Sequence, residues 1–135
     1  MISEHIMCWN VRGLYYPAKR EAIHEVATTN RISIMCLQHT KLAIMDQRMC
    51  SEIGGPRLNN FSYLPADGSR GGAATFWDDD ILQHSDINIR NFSLSVRLTQ
   101  RSANTAFHLT NVYGPTDDTD KENFLQEMCE VAPSG

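Results

Sequence analysis

The stretch Ile32-Ser33-Ile34-Met35-Cys36-Leu37-Gln38-His39-Thr40-Lys41-Leu42 decides how this chain is read. From Ile32 to Leu37 apolar and small residues follow one another without a charge. A short continuous apolar run predicts a strand buried on both faces. Gln38, His39, Thr40 and Lys41 then follow abruptly. In a layered α/β architecture, the carboxyl end of such a strand is where chemistry gathers. Two other stretches share the design. Ile6-Met7-Cys8-Trp9 runs into Asn10-Val11-Arg12-Gly13, and Phe107 to Tyr113 runs into Gly114-Pro115. Three strands that each deliver polar groups at their exits predict one site.

Around this strand the chain reads as alternating elements. Ser3 to Trp9 is the first strand. Asn10 to Pro17 is a loop, and Ala18 to Thr29 a helix with Ala22, Ile23, Val26 and Ala27 as its apolar stripe and Lys19, Arg20 and Glu25 outward. A weak helical pattern runs from Ala43 to Ile53 and stops at Gly54-Gly55-Pro56. Asn60–Leu64 and Ala73–Trp77 are short strands around a loop whose Gly71-Gly72 permits close backbone approach or positive φ. Ile87, Ile89, Phe92, Leu94, Val96 and Leu98 read as a half-buried strand of period two. Ala106–Tyr113 is a further strand and Asp120–Val131 a helix. The expected fold class is α/β: a mixed β-sheet with covering helices.

The totals set bounds. At 135 residues the chain is at most one domain, and its 41% hydrophobic content suits a soluble globular protein. A formal charge of −4 gives no general attraction to nucleic acid, although a local patch suffices for that. Cys8, Cys36, Cys50 and Cys129 show no C-x-x-C spacing, which argues against a zinc site or disulfide frame and for a reducing compartment. No signal peptide and no membrane-spanning stretch is expected, hence no membrane partner and an intracellular location.

These segments resemble a known family. Trp9-Asn10-Val11-Arg12-Gly13-Leu14 is similar to the S-W-N-V-R-G-L opening of endonucleases in the endonuclease/exonuclease/phosphatase superfamily, in particular of those from plant LINE-type (non-LTR) retrotransposons. Cys36-Leu37-Gln38-His39-Thr40-Lys41-Leu42 resembles their C-L-Q-E-T-K-L. Ala66-Asp67-Gly68-Ser69-Arg70-Gly71-Gly72 with Phe76-Trp77 resembles their glycine-rich stretch, and Leu109 to Pro115 their strand ending in N-V-Y-G-P. The resemblance implies a four-layer αββα sandwich of deoxyribonuclease I type. It implies phosphodiester hydrolysis with Mg2+ or Mn2+, DNA as partner, and work in the nucleus at some stage.

Each matching residue carries an implied role beside a plainer one. Asn10 would offer its amide to the scissile phosphate or to the metal-holding carboxylate; alone it reads equally as an Asx turn. Tyr113 would stabilise charge building on the phosphate, or simply close a strand as a half-buried aromatic. Arg70 would contact phosphate, or be a solvated loop arginine. Asp78-Asp79-Asp80 reads better as a solvated turn than as a metal site.

Two departures matter. His39 stands where the family places the glutamate that holds the metal, and imidazole does not suit magnesium. The family's later G-D-x-N and S-D-H segments do not occur. Residues 1–135 therefore read as the N-terminal portion of a single domain, with the second sheet largely absent and a bare apolar face open to self-association. The expected function is a truncated, catalytically inactive retrotransposon-type endonuclease domain. The alternatives are a non-catalytic nucleic-acid-binding or assembly module using Arg12, Lys19, Arg20, Lys41 and Arg70, and a phosphomonoesterase of the same superfamily.

Overall fold

The computed structural model describes residues 5–68, 70–115 and 118–131. Ser3 of the expected first strand, Ser69 of the glycine-rich stretch and the last four residues lie outside them. Two sheets form. In the first, strands β1 (Ile6–Asn10), β2 (Ile34–Gln38), β4 (Ala73–Trp77) and β3 (Asn60–Leu64) lie side by side in that order. β1 and β2 are parallel and are joined through helix α1 (Pro17–Thr29), whereas β4 is antiparallel to both β2 and β3. In the second, β5 (Leu82–Ile89), β6 (Ser93–Gln100) and β7 (Ala106–Val112) form an antiparallel meander.

The uninterrupted apolar run of β2 makes it the centre. Its side chains alternate between two cores because successive residues of a strand point to opposite faces. Met35 and Leu37 face the helices, packing with Ile23 and Ala27 of α1, Cys50 and Ile53 of α2 (Gln47–Gly54), and Phe76 of β4. Ile34 and Cys36 face the second sheet, packing with Trp77, Leu82, Val96 and Leu98. Helix α2 starts later than its apolar pattern suggests. Asp46 caps it, accepting from the Met49 amide at 2.8 Å, and this fixes the first turn. Arg20 is buried rather than outward. Its Nε meets Glu52 at 2.7 Å, and its Nη1 donates to the carbonyls of Leu14 and Tyr15.

The second sheet corrects two expectations. It is present with three strands and covers the inner face of β2 and β4, so that face is not bare. The apolar alternation from Ile87 to Leu98 is also two strands, not one. Arg90 donates its amide to the Ser93 carbonyl at 2.9 Å, and the chain reverses there. The reversal is visible as a change of parity: Ile87 and Ile89 are odd, Phe92 to Leu98 even. Among the described residues, no strand of the second sheet covers β1. Its inward residues Ile6 and Cys8 are exposed, Ile6 by 48%.

Helix α3 (Asp118–Val131) is fixed at the β5–β6 turn. The buried carboxylate of Glu127 accepts from the amides of Asn91 and Phe92, each at 3.0 Å, and from the Ser93 hydroxyl at 2.7 Å. Phe124 meets the Phe92 ring edge-on. Among the described residues, no helix is long and apolar enough to cross a membrane.

Candidate functional site

The carboxyl ends of β1, β2 and β7 meet at one rim. Asn10 and Gln38 end their strands as register partners. The β1 ladder then continues into the loops: Val11 donates to the Gln38 carbonyl, Gly13 to that of His39 and Leu14 to that of Thr40, at 2.8–3.0 Å. On its other side the same segment donates from His39 to Gly72 at 2.9 Å and from Lys41 to Gly71 at 2.6 Å. Residues 39–41 are thus held backbone-to-backbone between two loops.

Arg12, His39 and Lys41 all have left-handed backbones, with φ of 54°, 63° and 59°. Such conformations are uncommon outside glycine and concentrate at functional sites. The imidazole of His39 packs against Gly71. A Cβ at Gly71 would sit 2.4 Å from His39 Cδ2, so only glycine leaves room for the ring where it stands. Its other neighbour is Tyr113, met edge-to-face at 5.7 Å between ring centroids. Tyr113 is buried, and its amide donates to Phe92 at 2.8 Å.

Beneath the rim lies a cross-sheet bond. Gln38 Nε2 donates to Asn111 Oδ1 at 2.7 Å, while Asn111 Nδ2 donates to the Ala74 carbonyl at 3.0 Å and reaches Thr75 Oγ1 at 3.2 Å and the Leu37 carbonyl at 3.4 Å. Asn111 is buried and connects β7 of the second sheet to β2 and β4 of the first. In the sequence Asn111 stands out only as part of the N-V-Y-G-P motif. The available signal was its inward parity with Phe107 and Leu109, because a polar residue on a core-facing position needs partners.

Of the residues singled out from the sequence, Asn10, His39 and Tyr113 come to this rim. Asn10 is exposed, and its Oδ1 accepts from the Arg12 amide at 3.3 Å, a local turn. Arg70 is next to Gly71 in the chain but turns away. Its guanidinium lies 4.8 Å from the centroid of the Phe92 ring and contacts Asp120 at 3.4–3.5 Å. Lys19 donates to the Val11 carbonyl at 2.8 Å. Asp78 to Asp80 form the bend before β5. Asp78 accepts from the Asp80 amide, and Asp79 lies 3.5 Å from Arg101.

The rim is electropositive. The His39 imidazole is held below its ordinary value of 6.5, first by partial desolvation and then by the charges of Lys41 and Arg12. A magnesium or manganese ion requires oxygen donors, mostly carboxylate. Here the expected carboxylate position carries an imidazole flanked by two cations, with the amides of Asn10 and Gln38 beside it. Among the described residues, no three His, Cys, Asp or Glu side chains gather at one place. This donor set does not fit a hard divalent ion.

No protein-family model and no curated protein sequence matches the chain. Solved structures do. The fold is similar to AP endonuclease LMAP from Leishmania major, at 18% identity and a TM-score of 0.63, over 98% of this chain and 52% of that one. It is similar to an endonuclease/exonuclease/phosphatase from Bacteroides vulgatus, at 10% identity and 0.65, over 92% and 59%. It is also similar to TDP2 from D. rerio, solved with a single-strand DNA product, at 12% identity and 0.62, over 95% and 55%. The chain therefore has the two-sheet α/β fold of deoxyribonuclease I type and spans about half the length of these neighbours.

Proposed function

We propose that this chain is the N-terminal portion of an endonuclease/exonuclease/phosphatase-type domain of LINE-retrotransposon origin, and that it holds DNA phosphates at its rim without cleaving them. The observation that carries this is the juxtaposition of Asn10, His39 and Tyr113 at three strand ends, with Arg12 and Lys41 beside the imidazole. Cationic side chains and amides suit phosphate oxygens. The resemblance of the sequence motifs supports the family. The fold shared with an AP endonuclease and with a DNA-bound TDP2 supports nucleic acid as the ligand class.

Absence of cleavage follows from chemistry. In-line hydrolysis needs an oriented water, a Lewis acid and charge stabilisation together. Tyr113 and Asn10 serve the last of these, and the donor set at His39 does not serve the second. Arg70 takes a positioning part in this reading, since it is paired with Asp120. The test is a supercoiled-plasmid assay with Mg2+ or Mn2+, run beside Tyr113→Phe, together with DNA retention at rising salt. Salt-dependent retention with no nicking above the Tyr113→Phe level is expected. Nicking above that level overturns the non-cleaving assignment, and retention that vanishes at all but the lowest salt overturns the binding one.

A further inference from the structure

We propose that Cys8 and Cys36 are an oxidant-responsive pair that closes into an intramolecular disulfide, tying edge strand β1 to central strand β2 beneath the rim. The sequence separates these residues widely, but the fold makes them direct register partners on parallel neighbouring strands. Neighbouring strands lie about 4.8 Å apart. That separation falls within the Cα spacing disulfides accept, roughly 4.4–6.8 Å. Register partners of parallel strands also point to the same face. Here it is the inner face, where Cys36 packs in the inter-sheet core.

The two cysteines differ in access, which assigns their roles. Cys8 is exposed, since among the described residues no strand of the second sheet lies over β1, and a peroxide reaches it from solvent in this chain. Cys36 is buried, and burial followed by the neighbouring Cys8 pushes its thiol up to about 12. It is therefore protected from direct attack. Hydrogen peroxide would convert the Cys8 thiol to a sulfenic acid, releasing one water. The Cys36 sulfur then displaces the hydroxyl, which leaves with the Cys36 proton as a second water, and the S–S bond forms. Two thiols are oxidised and one peroxide is reduced.

The consequence is local. Asn10 and Gln38 follow the two cysteines by two residues on the same strands. A covalent link between Cys8 and Cys36 fixes the strand ends that carry the rim, and a dithiol reductant restores the free pair.

The experiment uses the whole chain carrying Cys129→Ser, which removes the other exposed thiol. The folded protein is treated with hydrogen peroxide, alkylated, digested and mapped by mass spectrometry. The expected product is a monomer in which the Cys8 and Cys36 peptides are joined and two hydrogens lighter, reversed by dithiothreitol. Cys8→Ser, a change at an exposed position whose folding circular dichroism confirms, leaves Cys36 fully alkylatable after unfolding. Sulfinic or sulfonic acid at Cys8 with Cys36 still reduced overturns the proposal, as does a disulfide joining Cys8 of two copies.

Discussion

Gln38 and Asn111, far apart in sequence, meet end to end at 2.7 Å, and through them the two sheets are bonded as well as packed. Asn111 fills both sides of its amide: the oxygen accepts from Gln38, and the nitrogen serves acceptors on β2 and β4. Replacement by alanine strands several buried groups at once. Each unsatisfied buried group costs about 1–3 kcal/mol, so Asn111→Ala should lower stability by about 2–4 kcal/mol. Urea denaturation measures this. A loss below about 1 kcal/mol would show that water replaces the bridge.

Glu127 performs the same service for α3. One carboxylate caps two amides and a hydroxyl at the β5–β6 turn. Glu127→Ala should free α3 from the sandwich before the rest unfolds. Limited proteolysis should then cut within 118–131 much faster than in the parent. Equal cutting rates would mean that Phe124 and the Arg90–Glu130 pair hold the helix without it.

Gly71→Ala tests the slot that seats His39. The added methyl would overlap the imidazole at Cδ2 and Nε2, so the ring must rotate off Tyr113. The expected reading is a change in the His39 ring resonances, with stability falling by about 1 kcal/mol from the lost packing. Unchanged resonances would refute the contact.

Protonation of His39 should weaken the fold. Its folded-state value lies below 6.5, so the unfolded chain takes up the proton first as pH falls. The stability contributed by the neutral ring is complete above 6.5 and declines as pH drops through that value toward the lower folded one. Urea titrations of the parent and of His39→Gln from neutral to mildly acidic pH isolate the effect from the other histidines. Parallel curves would exclude it.

Arg12→Ala with Lys41→Ala should reduce DNA retention uniformly across sequences. Each phosphate contact contributes about 0.9 to the slope of log affinity against log salt. The double variant should therefore flatten that slope by about 2. An unchanged slope would place the phosphates elsewhere.

The central strand, the two short strands at 60–64 and 73–77 and the first helix were legible because each rests on a local pattern. The β5–β6 turn was less so, since its apolar residues continue across the reversal and only their parity changes. The burial of Arg20 is not legible locally, because its spacing on α1 looks solvent-facing. Nothing local reveals Glu52, which lies on another helix. Asn10, His39 and Tyr113 were legible at the rim because strand ends in this architecture converge. The long-range partners of Arg70, Gln38 and Glu127 depend on elements that sequence order does not bring together.

The rim loops are gripped by peptide groups, from Gly13 to His39 and from Lys41 to Gly71. The residue at position 39 can therefore drift while the strand ends keep their places. Backbone tied in this way holds its course whatever chemistry the side chains carry.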